Sequence, residues 1–237
     1  MPAPSDIQAV TFDVGGTLLH PEPSVGHVYA RVARQHGGPE LDPGLLNQRF
    51  QAAWRDAQPF THGRDDWQQL VDRVFQALLP RPPSSTFFPE LYEEFARSSA
   101  WNVFPDVIPT LELLAGAGLD LGIISNWDER LRPLLRDLRL DRYFNCIVVS
   151  CEAGFAKPSP VIYEAALRQL GCPASAALHV GDGLREDFAG AICAGFEALH
   201  LRRDAPTRDL QIQTLADLPA RISSAAPRPH RAVRAPR

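Results

Sequence analysis

Hydrophobic positions fall into two patterns along the chain. Short continuous apolar runs end in a polar residue four times: Ile7 to Phe12 before Asp13, Leu119 to Ile124 before Ser125-Asn126, Phe144 to Ser150, and Ala177 to Val180 before Gly181-Asp182. Runs of this length, rich in Val and Ile and bounded by Gly, Asp and Ser, predict strands buried on both faces. Between and after them the apolar spacing is helical, at Val107 to Ala117, Glu129 to Leu138, Pro160 to Leu170 and Glu186 to Ala194. A fifth strand is expected at Ala198 to Leu201. Strands alternating with helices predict right-handed βαβ units, and so an α/β, Rossmann-like parallel sheet.

The interval between the first two strands breaks this alternation. From Val25 to Ala100 nothing reads as a strand; helical stretches fall near Val25 to His36, Pro43 to Ala57, Asp66 to Leu79 and Glu90 to Arg97. Loop-like segments, Pro59 to Arg64 and Pro80 to Pro89, separate the last three. A helical block of this length is too long for a crossover, so residues 21–100 are expected to form an inserted helical domain. Residues 1–20 and 101–223 then make the core. The stretch 224–237, rich in Pro and Arg and without apolar period, is expected to be a disordered basic tail.

Composition narrows the class. The 237 residues are 45% hydrophobic and 22% charged, ordinary values for a globular protein. The net charge is −4, and setting aside the four arginines of the tail leaves −8, a poor balance for binding nucleic acid. No apolar run approaches a membrane span, and MPAPSDIQ lacks a basic region followed by an apolar one, so no membrane partner and a cytoplasmic location are expected. Cys146, Cys151, Cys172 and Cys193 form no C-x-x-C pair, which predicts reduced, mostly buried thiols.

Ligands of open parallel sheets bind beyond the carboxyl ends of the strands, where Asp13, Ser125, Asp182 and Asp187 all fall. Asp13 opens the loop Asp-Val-Gly-Gly-Thr, and Gly181 to Asp187 reads Gly-Asp-Gly-Leu-Arg-Glu-Asp. Three converging carboxylates suit a hard divalent cation such as Mg²⁺. Ser125 and Asn126 are candidate donors to phosphate oxygens. Lys157, the sole lysine in a chain whose other strong bases are all arginine, would balance the acids and a phosphate.

In order along the chain, Asp13-Val14-Gly15-Gly16-Thr17-Leu18, Ser125-Asn126, Lys157-Pro158 and Gly181-Asp182 with Asp187 resemble the four motifs of the haloacid dehalogenase superfamily. The resemblance covers about Gln8 to Leu201, and the helical insertion looks like the C1-type cap of its subfamily I. It implies a Rossmann-like core and hydrolysis of a small phosphorylated molecule through a phosphoaspartate on Asp13, with Lys157 as the second catalytic group. It further implies phosphate contacts from Ser125, Asn126, Gly16 and Thr17, and a Mg²⁺ site of Asp13, the Gly15 carbonyl, Asp182 and Asp187.

One position departs from that pattern. Phosphatases of the superfamily carry a second Asp two residues after the nucleophile, which protonates the leaving group and activates water; here Gly15 stands in its place. Three readings stay open: a phosphatase that is slow or has a replacement base, with His20 or Asp128 as candidates; a phosphometabolite-binding or scaffold protein; and a 2-haloacid dehalogenase. The metal-type acids argue against the last. A phosphonate-cleaving enzyme needs a further lysine in the cap, and none exists. His179 reads as a core histidine. Of Trp54, Phe60, Trp67, Phe87, Phe88 and Trp101, one or two are expected at the cleft and the rest in the core.

Overall fold

The computed structural model describes residues 7–57, 60–206 and 208–222. The proposed tail, residues 224–237, lies outside them. The core is a six-stranded sheet, all of whose pairings are parallel. The chain runs through β1 (Ala9–Phe12), a short β2 (Leu19–Pro21), four helices, β3 (Trp101–Val103), α5 (Val107–Gly116), β4 (Asp120–Ser125), α6 (Leu131–Asp137), β5 (Cys146–Val149), α7 (Ser150–Ala153), α8 (Pro160–Leu170), β6 (Ala177–Gly181), α9 (Gly190–Cys193), β7 (Glu197–Leu201), β8 (Gln211–Ile212) and α10 (Leu218–Ile222). The four helices are α1 (Val25–Gln35), α2 (Pro43–Asp56), α3 (Arg64–Phe75) and α4 (Phe88–Glu94).

Strand order is β5-β4-β1-β6-β7-β8. The chain builds outward from β1 through β4 to β5, then crosses back to place β6 on the other side of β1. This reversal leaves a crevice above β1, β4 and β6, the three strands that end in Asp13, Ser125 and Asp182. β1 is buried along its whole length, which explains why its sequence is a continuous apolar run rather than an alternating one.

Boundaries moved where local chemistry outweighed the apolar pattern. The strand expected from Phe144 begins at Cys146, because Asn145 turns the chain and accepts the Leu121 amide at 3.0 Å. The helix expected from Glu186 starts two residues earlier as a wide π-helical turn, Leu184–Ala189. Strands β2 and β3 were not foreseen. They are three residues each, pair antiparallel, and form the neck where the chain leaves the core and returns. His20 lies in that neck, its ring 4.6 Å from that of Phe104. Only Cys146 of the four free thiols is buried; Cys151 and Cys193 are exposed, so the expected mostly buried thiols are not found.

Helices α1 to α4 enclose a hydrophobic cluster of their own, including Val32, Leu46, Leu70, Val74, Phe75 and Leu91. α2 starts because Asp42 accepts the amides of Gly44 and Leu45 while Pro43 supplies a preset backbone angle. The core proper packs Phe12, Leu121, Ile123, Leu134 and Val180 around β1 and β4. Phe12 is fully buried and meets Phe144 edge-on at 6.5 Å. Replacing it with alanine is expected to lower stability by about 3–5 kcal/mol, read as a lower urea midpoint; a change below ~1 kcal/mol would contradict this packing.

Candidate active site

The loop after β1 is shaped by three amides, of Thr17, Leu18 and Leu19, that converge on the Val14 carbonyl. None of these bonds goes to the Gly15 carbonyl, which is left available as an acceptor. The Asp13 amide donates to the Val180 carbonyl at 3.0 Å, tying the end of β1 to β6. Gly16 has φ +78°, and a Cβ there would lie 2.5 Å from Asp182 Oδ2, so both backbone and space demand glycine. Gly15 differs. It does not lie in the left-handed region, and a Cβ on it would meet Trp127 Cζ3 at 3.4 Å. One atom of the indole therefore stands at ordinary contact distance from position 15, and no other group lies within 4 Å of such a Cβ.

Lys157 is buried and bridges two acids: its Nζ donates to Asp13 Oδ1 at 2.6 Å and also to Asp187 Oδ1. Ser125 Oγ donates to the same Asp13 oxygen at 3.1 Å. Asp13 Oδ1 is therefore fully engaged, while Oδ2 accepts no hydrogen bond from the described residues. Asn126 holds Lys157 by its backbone, accepting its amide at 2.7 Å and donating to its carbonyl at 3.0 Å. Its side chain thus positions Lys157, and the second N–H of its amide group, at the cavity wall, is not engaged by these bonds. Thr17 is occupied: its hydroxyl accepts the Asp182 amide and donates to Asp182 Oδ1, both at 3.2 Å. Thr17 is fully buried and does not line the cleft, whereas Gly16 does.

Asp187 sits on the wide turn, whose geometry aims its Oδ2 back at the Gly183 amide, 2.8 Å away. Its Oδ1 also meets His179 Nε2 at 3.3 Å, and His179 Nδ1 lies 2.9 Å from Thr11 Oγ1. With Nε2 protonated toward the carboxylate, the imidazole accepts from the Thr11 hydroxyl. Burial pushes the His179 pKa down, so the ring is neutral and orients Asp187. The expected core histidine is indeed in the core, but it also touches the site.

The electrostatics follow from crowding. Burial raises Asp187, yet Lys157 and then His179 outweigh it and hold the carboxyl well below the usual range. Burial raises the Asp13 pKa, Lys157 opposes this, and the charge of Asp187 adds to it. Asp182, exposed at the lip of the cavity, is pushed up to about 7 by the partial loss of water around it and by the charges of Asp13 and Asp187. Oxygens of Asp13, Asp182 and Asp187 lie within 4.8 Å of one another. An all-oxygen acidic set with too few positive neighbours fits a hard divalent cation; a bound Mg²⁺ would be held by these acids.

Above the carboxylates opens a cavity of about 600 Å³ that extends into the helical block. Trp54, Phe60, Trp67, Phe88 and Trp101 all line it, more aromatics than the one or two expected, while Phe87 packs in the core against Phe75. His62 also lines it, with φ 66° and with Nδ1 lacking any hydrogen-bond partner among the described residues. Burial lowers the His62 pKa to about 4, outweighing Asp128 and Asp66, so the ring is neutral. Sequence reasoning overlooked His62, Trp127, Arg130 and Tyr92. The signal for Trp127 and Arg130 was their place directly after Ser125-Asn126; for His62 and Tyr92 no sequence signal exists.

Neither candidate replacement base is free to act. His20 does not line the cavity. Asp128 is fully buried and is held by the Arg130 guanidinium, with Nε at 2.8 Å from Oδ1 and Nη2 at 2.6 Å from Oδ2, and by Trp67 Nε1 at 2.9 Å. Arg130 also donates to the Tyr92 carbonyl at 2.7 Å and lies over the Tyr92 ring at 3.6 Å. These contacts join the core loop after β4 to α3 and α4.

The haloacid dehalogenase-like hydrolase family model matches residues 7–195. The chain belongs to this family and is a hydrolase. A haloacid dehalogenase-like hydrolase domain-containing protein 3 from Danio rerio is 33% identical over 234 residues, covering 91% of this chain and 96% of the relative. A HAD phosphatase from Thermococcus onnurineus superposes with a TM-score of 0.67 at 26% identity, covering 92% of this chain and 99% of its own. A 2-haloacid dehalogenase from Pseudomonas syringae gives 0.64 at 26% identity, with the same coverage of each. The magnesium-bound HAD hydrolase YfnB of Bacillus subtilis gives 0.75 at 22% identity, covering 92% and 100%. No helix among the described residues is long and apolar enough to cross a membrane.

The Asp128–Arg130 pair yields a stability prediction. Arg130→Met leaves a buried carboxylate without its cation, so a loss of about 3–5 kcal/mol in denaturant unfolding is expected. A loss under ~1 kcal/mol would mean that Trp67 Nε1 and the backbone amide of residue 130, which donates to Asp128 Oδ1 at 3.1 Å, satisfy the carboxylate without the guanidinium.

Proposed function

We propose that this hydrolase is a phosphomonoesterase working through a phosphoaspartate on Asp13, assisted by Mg²⁺, with small phosphorylated molecules as substrates. The supporting observation is the state of the Asp13 carboxylate. One oxygen is locked by Lys157 and Ser125, the other is unengaged, and Asp13 lines the cavity. A carboxylate oriented in this way is a covalent-catalysis nucleophile. Its Oδ2 attacks phosphorus, the bond from phosphorus to the leaving oxygen breaks, and that oxygen departs with the electron pair. Water then attacks the phosphorus of the phosphoaspartate, the bond to Asp13 breaks, and inorganic phosphate leaves; the water's proton ends on the departed group. Lys157 balances the charge of the phosphoryl group, and Asn126 and His179 act as positioning residues for Lys157 and Asp187. A divalent cation held by Asp13, Asp182, Asp187 and the Gly15 carbonyl would neutralise phosphate charge. Residues 21–100 act as a cap that closes over the reacting groups and excludes water.

With Gly15 in place of the usual acid, position 15 offers no proton to the leaving group. Leaving groups that need no proton are therefore favoured. The same vacancy supports a second reading, a phosphometabolite-binding protein that keeps the site without turnover. The acid cluster argues against a 2-haloacid dehalogenase, which needs a carboxylate nucleophile and no cation. Phosphate release from acetyl phosphate in the presence of Mg²⁺ separates these readings. Turnover abolished by Asp13→Asn, and lost on chelation with EDTA, is expected; no release by the wild type would favour the binding protein.

A second expected outcome concerns the departed acid. A Cβ at position 15 meets only ordinary contact and the backbone there is not left-handed, so Gly15→Asp can be accommodated. This variant should raise alkyl phosphate hydrolysis by up to ~10²–10⁴-fold over wild type, the usual worth of general acid–base help. Equal rates in the two proteins would show that position 15 does not limit turnover.

A further inference from the structure

The cavity above Asp13 is large and its walls are poor in free polar groups. About 600 Å³ exceeds what a phosphoryl group fills and is in the range of sites that enclose a drug-sized molecule. Trp54 and Trp67 stack with centroids 5.6 Å apart and planes 20° from parallel, and Phe60 meets both edge-on at 5.0 Å. Most polar atoms near this surface are committed to the protein itself, with His62 Nδ1 the unpartnered exception. Trp67 Nε1 donates to Asp128, Trp101 Nε1 donates to the Phe95 carbonyl, and Arg130 is paired with Asp128 and the Tyr92 carbonyl. His62 packs against Trp54, Phe60 and Trp67 and adds no charge at neutral pH. A sugar or glycerol moiety enclosed here would bury hydroxyls with few partners, at a cost of roughly 1–3 kcal/mol each. A flat apolar ring would replace water against aromatic faces at no such cost.

A second, independent observation lies at the other end of the cavity. Position 15 is glycine and carries no acid, so the leaving oxygen gains no proton from it. A phenol ionises near pKa 10, the value of tyrosine, and so leaves as an anion far more readily than an alkyl alcohol.

Resting on the phosphomonoesterase reading, we propose that the substrates are aryl phosphates, whose ring system occupies the Trp54–Phe60–Trp67 chamber while the phosphate meets Asp13 and Lys157. In the reaction the bond from phosphorus to the phenolic oxygen breaks, the phenolate takes the electron pair, and the phenol regains its proton from the water that later releases phosphate. Chamber and missing acid thus select the same substrate from its two ends.

The test is phosphate release by the full chain with Mg²⁺ from four compounds: acetyl phosphate, glucose 6-phosphate, phenyl phosphate and 1-naphthyl phosphate. Phenyl and naphthyl phosphates have leaving groups of similar acidity, so their comparison isolates the chamber from the chemistry. Expected is a kcat/KM for 1-naphthyl phosphate about 10-fold above phenyl phosphate and about 100-fold or more above glucose 6-phosphate. Trp54→Ala, at a half-exposed position, should lower the ratio of naphthyl to acetyl phosphate turnover by about 10-fold, with a thermal melt to verify folding. If acetyl phosphate is hydrolysed but naphthyl phosphate is no better than phenyl or glucose 6-phosphate, the inference falls and the phosphomonoesterase reading stands. An unchanged ratio in Trp54→Ala overturns it equally. Release from none of the four, acetyl phosphate included, removes the phosphomonoesterase reading and the inference with it.

Discussion

The site is organised by one ammonium group placed among carboxylates. Lys157 is buried with its Nζ against both Asp13 and Asp187, and Asp182 stands close enough to raise the negative charge further. Buried charges are tolerated only when partners and hydrogen bonds replace the lost water. Much of the surrounding structure meets that demand. Asn126 grips the Lys157 backbone from both sides, Ser125 completes Asp13, and Gly183 and His179 complete Asp187. The close approach of the acids explains the glycines too, since a Cβ at Gly16 or Gly181 would collide with Asp182 or Asp187. The order of the sheet makes this possible, because β1, β4 and β6 are neighbours although their sequences are far apart.

Above that charged floor the chemistry inverts. The Trp127 indole stands at contact distance from Gly15 and rests 5.1 Å from the Trp101 ring at the neck. Its backbone is fixed by Ser150, whose hydroxyl accepts the Trp127 amide and donates to its carbonyl, both at 3.0 Å. The aromatic ceiling is therefore built into the core rather than contributed by the helical block alone. The contacts of Trp67 and Tyr92 with Asp128, Glu129 and Arg130 bind that block to the same core loop.

The chain itself was informative about strand ends and charged chemistry. Apolar runs ending in Asp13, Ser125 and Asp182 carry their own signal, since a strand buried on both faces must be apolar and its end must turn polar. A lone lysine in an arginine-rich chain pointed to Lys157 for a similar reason, a requirement for a compact donor that arginine does not meet. The departure at Gly15 was equally plain. Only the tertiary structure decided what stands beside it, because Trp127 meets Gly15 across more than a hundred residues. The same holds for the neck strands, too short to show a period, and for Asp128 and His20, whose partners withdraw them from the site. Aromatic residues such as Trp54 and Trp67 satisfy a helix's apolar face whether they meet a core or a cavity. Local sequence encodes that they are apolar; the packing of α2 and α3 over the sheet determines what they face.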